Sequence, residues 1–299
     1  MIGRSYTKIS SAIIRSFVSL YNHKNTMLIR PYRYFEDNYA YTLTLPSSPS
    51  PKYLVDPGDT NQFTAMANAL EKITVLITHK HNDHTGQMDK LIEGIKPVAV
   101  WAGNGEGVFG VTRQFGPEET TFNEGNTKIR VKMSPCHTRH HVLYYIEWMG
   151  ESTEPQGYLP DEPIFRAKRA LFTGDTVFIG GVGKFFEGSA QEMYANLEWV
   201  KSLPDDTYIF PGHDYLKGNM KFAQGIEPEN KEYSRCLQEL EDQAIDGNHS
   251  LPSTVGQEKK SNVFFRADLL KDRLGVATGV EALGLLRAMK DQGKSLLAN

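Results

Sequence analysis

The chain has 299 residues, of which 39% are hydrophobic and 23% are charged, and it carries a formal net charge of −3 at pH 7. That composition suits a globular protein with one large domain or two smaller ones, and it argues against nucleic-acid binding, which needs a basic excess, and against a membrane span, which needs about 18 consecutive apolar residues. The two cysteines, Cys136 and Cys236, are too few for a disulfide framework and favour a reducing compartment.

The first 26 residues differ from the rest of the chain. No acidic residue precedes Glu36, serine is frequent, and Arg4 and Arg15 share one face of a helical wheel whose opposite face is apolar. This composition is typical of a mitochondrial transit peptide and predicts a location in the mitochondrial matrix. A disordered tail is the alternative interpretation. A start at Met27 would produce a cytoplasmic form without the segment.

After Met27 the chain alternates between strand-like and helix-like segments. Strands are predicted at residues 28–32, 40–45, 53–58, 73–78, 97–101, 129–133, 142–146, 170–173 and 207–210. Residues 61–72 have helical spacing of apolar side chains. Residues 151–165 are rich in glycine, proline and glutamate and are predicted to be a surface excursion.

The pattern changes near His213. Beyond it strand signals stop, and helical periodicity covers residues 229–245, 267–273 and 279–292. This shift predicts a domain boundary, with residues 27–213 forming one domain and residues 214–299 a helical second one.

The predicted strand at residues 73–78 leads directly into His79, His81, Asp83 and His84. The two alternating histidines can point to the same side of an extended backbone. Imidazole and carboxylate are ligands for zinc, iron and manganese, and a shared site fits two ions about 3.5–4 Å apart. Four residues are too few for two ions, so more ligands must come from elsewhere in the chain.

Three further candidates follow predicted strands: His137, Asp175 and His213. Asp175 is the candidate for a bridge between two ions, because a carboxylate offers two oxygens. Cys136, beside His137, is interpreted as a packing residue rather than a thiolate ligand. The pattern predicts an enzyme rather than a non-catalytic metal-binding module, because open two-metal sites are seldom structural.

These residues resemble a known family. The segment from Thr78 to His84 matches the T-H-x-H-x-D-H signature of the metallo-β-lactamase superfamily. Further segments are similar to its glyoxalase II (hydroxyacylglutathione hydrolase) branch, namely residues 134–138, 171–176, 183–188, 211–215, 220–223 and 227–230. The resemblance covers about residues 28 to 292. It implies an α/β fold, a four-layer αββα sandwich over residues 27–213, followed by a small helical substrate-binding domain over residues 214–299.

The resemblance also implies a metal assignment. One ion would be bound by His79, His81 and His137, and the other by Asp83, His84 and His213, with Asp175 bridging. The expected cofactors are two divalent ions, Zn²⁺ first, with iron or manganese as alternatives. A hydroxide bridging the ions would attack the thioester of S-D-lactoylglutathione, a small-molecule substrate, and release glutathione and D-lactate in the second step of methylglyoxal detoxification. Asp83 and Asp175 would serve catalysis, and a monomer is expected.

Glutathione binding is implied for a second group of residues: Lys184, Phe185, Phe186, His213, Tyr215, Arg287 and Lys290. Two features depart from the family pattern. Position 186 is Phe where some members have Tyr, which removes one hydroxyl contact. The run Arg139-His140-His141 replaces a small residue, glycine and histidine, so His140 either points outward or narrows the mouth of the site.

Two other activities of the superfamily compete with the hydrolase. A mononuclear iron persulfide dioxygenase shares the histidine segment and also acts on glutathione-linked sulfur. Lactonase or β-lactamase activity would leave the glutathione-binding residues without a purpose. The helical C-terminal region with Arg287 and Lys290 favours the hydrolase.

Overall fold

The computed structural model describes residues 25–46, 48, 50–70, 72–151, 156–159, 162–242, 252–294 and 296. The segment predicted to be a transit peptide lies outside these residues, apart from positions 25 and 26. Within the described part of the chain, no helix is long and apolar enough to cross a membrane.

Strands fill the first two thirds of the chain, and helices dominate the last third. The strands are β1 (Met27–Tyr34), β2 (Asn38–Thr44), β3 (Tyr53–Val55), β4 (Thr74–Leu76), β5 (Ala99–Gly103), β6 (Arg113–Phe115), β7 (Thr120–Glu124), β8 (Thr127–Met133), β9 (Val142–Trp148), β10 (Gly157–Leu159), β11 (Glu162–Ala167), β12 (Arg169–Gly174), β13 (Val177–Phe178), β14 (Gly181–Val182), β15 (Tyr208–Pro211) and β16 (Ser253–Thr254). The helices are α1 (Thr60–Thr64), α2 (Asn82–Thr85), α3 (Met88–Ile95), α4 (Ala190–Lys201), α5 (Leu216–Ile226), α6 (Glu232–Asp242), α7 (Val255–Ser261), α8 (Ala267–Leu274) and α9 (Gly279–Asp291).

Two sheets form the centre of the molecule. The first has the strand order β10-β11-β1-β2-β3-β4-β5-β6, and the second has the order β16-β15-β12-β9-β8-β7. Strand β8 shows why they pack together, because its buried Ile129 and Val131 alternate with the half-buried basic side chains of Lys128 and Arg130. One large apolar cluster lies between the sheets, and it includes Leu43, Trp101, Ile146 and Phe172.

Helices cover the sandwich. A second apolar cluster joins Leu54 and Val75 of the first sheet to Phe63 of α1 and Leu91 of α3. On the other side, α4 and the C-terminal helices pack into the large cluster, as Met193 shows. The predicted α/β class, with two sheets between helices and a helical C-terminal region, is confirmed.

One local prediction is partly wrong. Part of the expected excursion at residues 151–165 forms the β10–β11 hairpin, and β11 pairs antiparallel with β1, with Met27 opposite Ala167. Ile164 and Phe165 are buried there. Proline and charged residues around this short apolar pair hide the strand signal.

The C-terminal region contains the predicted helices as α6, α8 and α9, together with α5 and α7. Helix α9 begins at a capping box in which Thr278 and Glu281 satisfy each other's backbone amides. The region also adds β16 to the second sheet, where Thr254 lies opposite Tyr208. Its apolar side chains, such as Leu283, belong to the same large cluster as the sheets. The division into two domains at residue 213 stays a prediction.

Candidate metal centre

The predicted ligands all lie just beyond strand ends. His79 to His84 follow β4 of the first sheet, while His137, Asp175 and His213 follow β8, β12 and β15 of the second. Strands β12 and β15 are parallel neighbours, so the loops after them leave the sheet at the same edge. The structure therefore brings loops from both sheets together at one edge of the sandwich.

Three imidazoles form the first group. His81 Nδ1 lies 3.0 Å from His79 Nε2 and 3.1 Å from His137 Nε2. Nitrogens bound to one tetrahedral zinc ion, at about 2.0–2.1 Å each, would be separated by about 3.3 Å. The three nitrogens are therefore spaced as ligands of a single ion.

The second group contains Asp83, His84 and His213. His213 Nε2 lies 3.2 Å from both Asp83 Oδ2 and His84 Nε2. The Asp175 carboxylate lies between the two groups: its Oδ1 is 3.3 Å from His84 Nε2, and its Oδ2 is 3.3 Å from His137 Nε2. This is the placement that a bridging carboxylate requires.

Outer partners orient three of the rings. The Nδ1 acceptors are Asp56 Oδ2 for His84 (3.1 Å), Asp37 Oδ1 for His213 (2.8 Å) and Lys184 O for His137 (3.1 Å). Because carboxylates and carbonyls accept hydrogen bonds, each Nδ1 carries a proton. In the neutral rings the Nε2 lone pairs then point into the centre, as in metal sites whose ligands are oriented by outer hydrogen bonds.

These groups do not satisfy one another without cations. In the neutral rings the Nε2 lone pairs of His84 and His213 face each other at 3.2 Å and repel, and the buried Asp175 Oδ1 has no hydrogen-bond partner among the described residues. A cation accepts electron density from all of these atoms at once. The donor set therefore fits divalent metal ions.

The pKa values of the buried groups also favour the binding of divalent metal ions. Burial, together with the neighbouring imidazoles, lowers the pKa of His79 well below its usual 6.5, so this ring stays neutral as a ligand must. Burial also lowers the pKa of His213, but hydrogen bonds to Asp175 and Asp83 outweigh that effect and raise it to about 11. The pKa of Asp175 falls despite burial, because nearby imidazoles stabilise the carboxylate. The Asp175 carboxylate is thus ionised where cations would bind, and His213 must release a proton to become a ligand.

Several supporting residues were not predicted from the sequence. Asp56 accepts hydrogen bonds from the amide and hydroxyl of Thr78, at 2.8 and 2.6 Å, in addition to its contact with His84. Asn38 donates to Asp83 Oδ2 at 3.0 Å. The available signal was the position of Asp56, which follows β3 at the end of the sheet where β4 delivers the histidines.

Two more supporting residues connect ligand loops. The buried Glu106 accepts from the amide of Lys80 at 2.8 Å and from the hydroxyl of Thr138 at 2.6 Å, which joins the loops after β4 and β8. His141 is buried, and its Nε2 accepts from the Asp175 amide at 3.2 Å. Both residues fix the backbone beside a predicted ligand.

The structure shows where the side chains of the unusual run after His137 lie. The half-exposed His140 ring lies against Gly105, where a Cβ would be 2.8 Å from His140 Nε2. Arg139 instead contacts the segment with Lys184, because its guanidinium donates to the carbonyl of Glu187 and pairs with Glu192. The His140 ring thus packs against the loop after β5.

Comparisons with known proteins agree with this geometry. The family described as Metallo-beta-lactamase superfamily matches residues 39–151, and the one described as Hydroxyacylglutathione hydrolase C-terminus matches residues 214–293. A protein of Chromohalobacter salexigens named hydroxyacylglutathione hydrolase is 32% identical, over 89% of this chain and 92% of that protein. A protein of the same name from Dictyostelium discoideum is 31% identical, over 89% of this chain and 100% of its own length.

The chain belongs to the hydroxyacylglutathione hydrolase family. Solved structures support the fold alone. ETHE1 from Myxococcus xanthus aligns with a TM-score of 0.54 and 21% identity, over 87% of this chain and 89% of that chain. A metallo-beta-lactamase from Staphylococcus aureus aligns with a TM-score of 0.54 and 18% identity, over 92% of this chain and 73% of that chain.

In this member of the hydroxyacylglutathione hydrolase family, three predicted substrate residues lie around the metal centre. The exposed Phe186 ring is 5.2 Å from the His137 ring, and Lys184 Nζ is 5.9 Å from the centroid of Phe186. Tyr215 stacks on His213 with ring centroids 4.9 Å apart. Aromatic side chains thus flank both ligand groups.

The other predicted substrate residues are packed inside this family member. Phe185 packs against the large apolar cluster. Arg287 is only 6% exposed; its guanidinium donates to Val182 O at 3.0 Å and to Asp291 Oδ1 at 2.7 Å. Lys290 donates to Asn219 Oδ1. The structure therefore does not present the Arg287 guanidinium at an open surface.

Proposed function

We propose that this protein hydrolyses the thioester of S-(2-hydroxyacyl)glutathione, with S-D-lactoylglutathione as the first substrate to test, to glutathione and D-lactate. One observation carries the proposal: the similarity to proteins named hydroxyacylglutathione hydrolase extends over nearly their whole length, including the C-terminal region. The metal centre supports the same chemistry, because it provides ligands for the ions of a metallohydrolase.

The proposal includes two Zn²⁺ ions, with iron or manganese as alternatives that the same ligands accept. The first would be bound by His79, His81 and His137, the second by Asp83, His84 and His213, and both by Asp175. Bound ions would supply a water whose pKa is lowered to about 7 and an electrophile that polarises the thioester carbonyl.

Asn38 and Asp83 would orient the attacking water. Asn38 fixes Asp83 Oδ2 with a 3.0 Å hydrogen bond, and the Asp83 pKa is lowered despite burial by hydrogen bonding to His213. The ionised carboxylate can therefore accept a hydrogen bond from the attacking water and orient it. The leaving group is a thiolate whose parent thiol has a pKa of about 8.5, so no general acid is needed.

Glutathione would lie across the aromatic residues at the mouth of the site. The exposed Lys184 ammonium is placed to pair with a glutathione carboxylate by a charge-assisted hydrogen bond. Phe186 and Tyr215 would form walls beside the two ligand groups. Phe186 offers no hydroxyl, so this wall contributes apolar contact only.

A thioester assay with zinc-loaded protein tests the proposal. We expect loss of S-D-lactoylglutathione with release of free thiol. His84→Ala should lower the rate by more than about 100-fold, because even partners outside the ligand set are worth 10–100-fold. His140→Ala is the matched control, since this histidine is not a predicted ligand and its ring lies against Gly105. Failure of zinc-, iron- and manganese-loaded protein to hydrolyse the thioester, or oxygen uptake with glutathione persulfide by protein that contains one iron per chain, would overturn the proposal.

We also propose that residues 1–26 direct a monomeric enzyme to the mitochondrial matrix. The support is the basic, serine-rich and acid-free composition of the segment. A fluorescent reporter fused to residues 1–26 should enter mitochondria, while a fusion that begins at Met27 should stay in the cytoplasm. A diffuse signal from the first fusion would contradict the targeting proposal, and light scattering of the purified protein tests the monomer.

A further inference from the structure

A short turn connects the metal centre to the C-terminal helices. Ile179 and Gly180 connect β13 to β14, and together with the two residues of β14 they form the 179–182 turn. The small ladder pairs Val177 with Val182 and Phe178 with Gly181. The 179–182 turn is buried throughout. Buried backbone amides and carbonyls need hydrogen-bond partners, and a two-strand ladder supplies only some of them.

Side chains from the C-terminal region supply further hydrogen-bond partners, one for each residue of the turn. The four contacts are Asn219 Nδ2 to Ile179 O (2.8 Å), Gly180 N to Glu258 Oε2 (2.9 Å), Asn262 Nδ2 to Gly181 O (3.1 Å) and Arg287 Nη1 to Val182 O (3.0 Å). Helices α5, α7 and α9 carry three of these side chains, and Asn262 follows α7 directly. Every one of the four side chains belongs to a buried residue.

Two of the four side chains also contact each other. Asn262 Nδ2 donates to Glu258 Oε2 at 2.8 Å, and Ser253 Oγ donates to Glu258 Oε1 at 2.6 Å. The packing leaves no room for a side chain at the glycines of the turn, because a Cβ at Gly181 would lie 2.6 Å from Asn219 Nδ2. Buried hydrogen bonds of this kind fix the backbone that they surround.

One end of the turn leads to the predicted ligand Asp175, and the other leads to Lys184, whose carbonyl contacts the predicted ligand His137. Asp175 precedes β13 by two residues, and Lys184 follows β14 by two. A Cβ at Gly183 would lie 1.9 Å from Asp175 O and 3.0 Å from His137 Nδ1. The carbonyl of Lys184 accepts the hydrogen bond that orients the His137 ring. The path of the turn therefore decides where the Asp175 carboxylate and the His137 ring point.

We propose that the C-terminal region positions Asp175 and His137 for metal binding by holding the 179–182 turn, with Asn219, Glu258, Asn262 and Arg287 as positioning residues. For Arg287 this goes beyond substrate binding, because its guanidinium is engaged by Val182 and Asp291. The inference rests on the proposed function only where turnover is measured. Metal affinity tests it separately.

The experiment measures zinc affinity of the full chain by competition with a chromophoric chelator. Asn219→Asp replaces the amide donor with a carboxylate that repels Ile179 O, and we expect about 10–100-fold weaker zinc binding, the range for partners that orient ligands. Gln224→Glu is the matched control, since it makes the same chemical change on α5 at a side chain that contacts Ser234 instead. Thermal unfolding shows whether each variant is folded.

Three further substitutions, at two positions, keep the test decisive if Asn219→Asp does not fold. Glu258→Leu should weaken zinc binding, and Glu258→Gln should restore most of the loss, because its amide oxygen can still accept from Gly180 and Asn262. Arg287→Lys should weaken zinc binding and lower kcat with little change in KM.

Zinc affinity within threefold of the unsubstituted protein in folded Asn219→Asp, or in Arg287→Lys and Glu258→Leu, would overturn the inference. A higher KM alone in Arg287→Lys would assign that residue to substrate binding. Failure of the thioester assay with zinc affinities as expected would refute the proposed function and leave the positioning role supported.

Discussion

The buried carboxyl of Glu258 has a consequence for stability that can be measured. Burial raises its pKa from the ordinary 4.5 to about 7, while the hydrogen bonds from Ser253, Asn262 and the Gly180 amide oppose this rise. These partners are uncharged, so no ion pair offsets the cost of burying the charge. The folded protein therefore binds a proton between pH 4.5 and 7 that the unfolded chain releases.

The sign and size of the effect follow from proton linkage. A raised carboxyl pKa stabilises the fold below about pH 4.5 relative to higher pH, and this contribution is lost as the pH rises to about 7. One pH unit corresponds to about 1.4 kcal/mol, so the interval amounts to about 3 kcal/mol at most. Glu258→Gln removes the titration and keeps the bonds from Gly180 and Asn262, while its amide nitrogen can donate to Ser253 Oγ.

Urea unfolding of both proteins, stripped of metal so that ion release does not contribute, checks this prediction. The free energies of unfolding should agree near pH 4.5, and Glu258→Gln should be the more stable by up to about 3 kcal/mol at pH 8. All other titrating groups are shared, so they cancel in the comparison. A difference that does not change between pH 5 and pH 8, or a less stable variant at pH 8, would refute the reasoning.

Three further substitutions probe the metal centre and its mouth. Asp56→Asn removes the carboxylate that orients His84, so zinc affinity should fall about 10–100-fold; unchanged affinity in a chelator competition would contradict this role. Lys184→Gln should raise KM for the glutathione thioester about tenfold with kcat unchanged, as expected for a lost hydrogen bond between charged groups, and a fall in kcat alone would argue against carboxylate binding. Phe186→Tyr should lower KM about two- to tenfold through one new hydrogen bond, and an equal or higher KM would exclude a partner near that position.

The strands that could be predicted from the sequence are the ones whose own composition determines them. Residues 73–78 and 170–173 are apolar runs because both faces of β4 and β12 are covered. By contrast, β6, β7 and β16 are short and polar, and partner strands define them. Helix α5 escaped prediction because its two glycines weaken the helical signal.

The residues of the metal site also fall into two groups: those that the sequence predicts and those that only the folded chain brings to the site. Metal-binding side chains placed after strands can be recognised locally, which is why residues such as His79 and Asp175 were predicted. Asp37 and Glu106 carry ordinary carboxyl groups, and only the folded chain brings them to His213 and Thr138. For Arg287, resemblance supplied a residue type and a family role, but the direction of a side chain depends on the packing around it.

The meeting of loops from both sheets at the metal centre makes bound ions a cross-link between the two halves of the sandwich. Ligands that bind only the native state shift the folding equilibrium by mass action, by about 2.7 kcal/mol when the free ion is at 100 times its dissociation constant. Metal supply would then set the lifetime of the folded protein as well as its activity. Chains made under metal starvation would be exposed to proteolysis first where β4 and β12 release their loops.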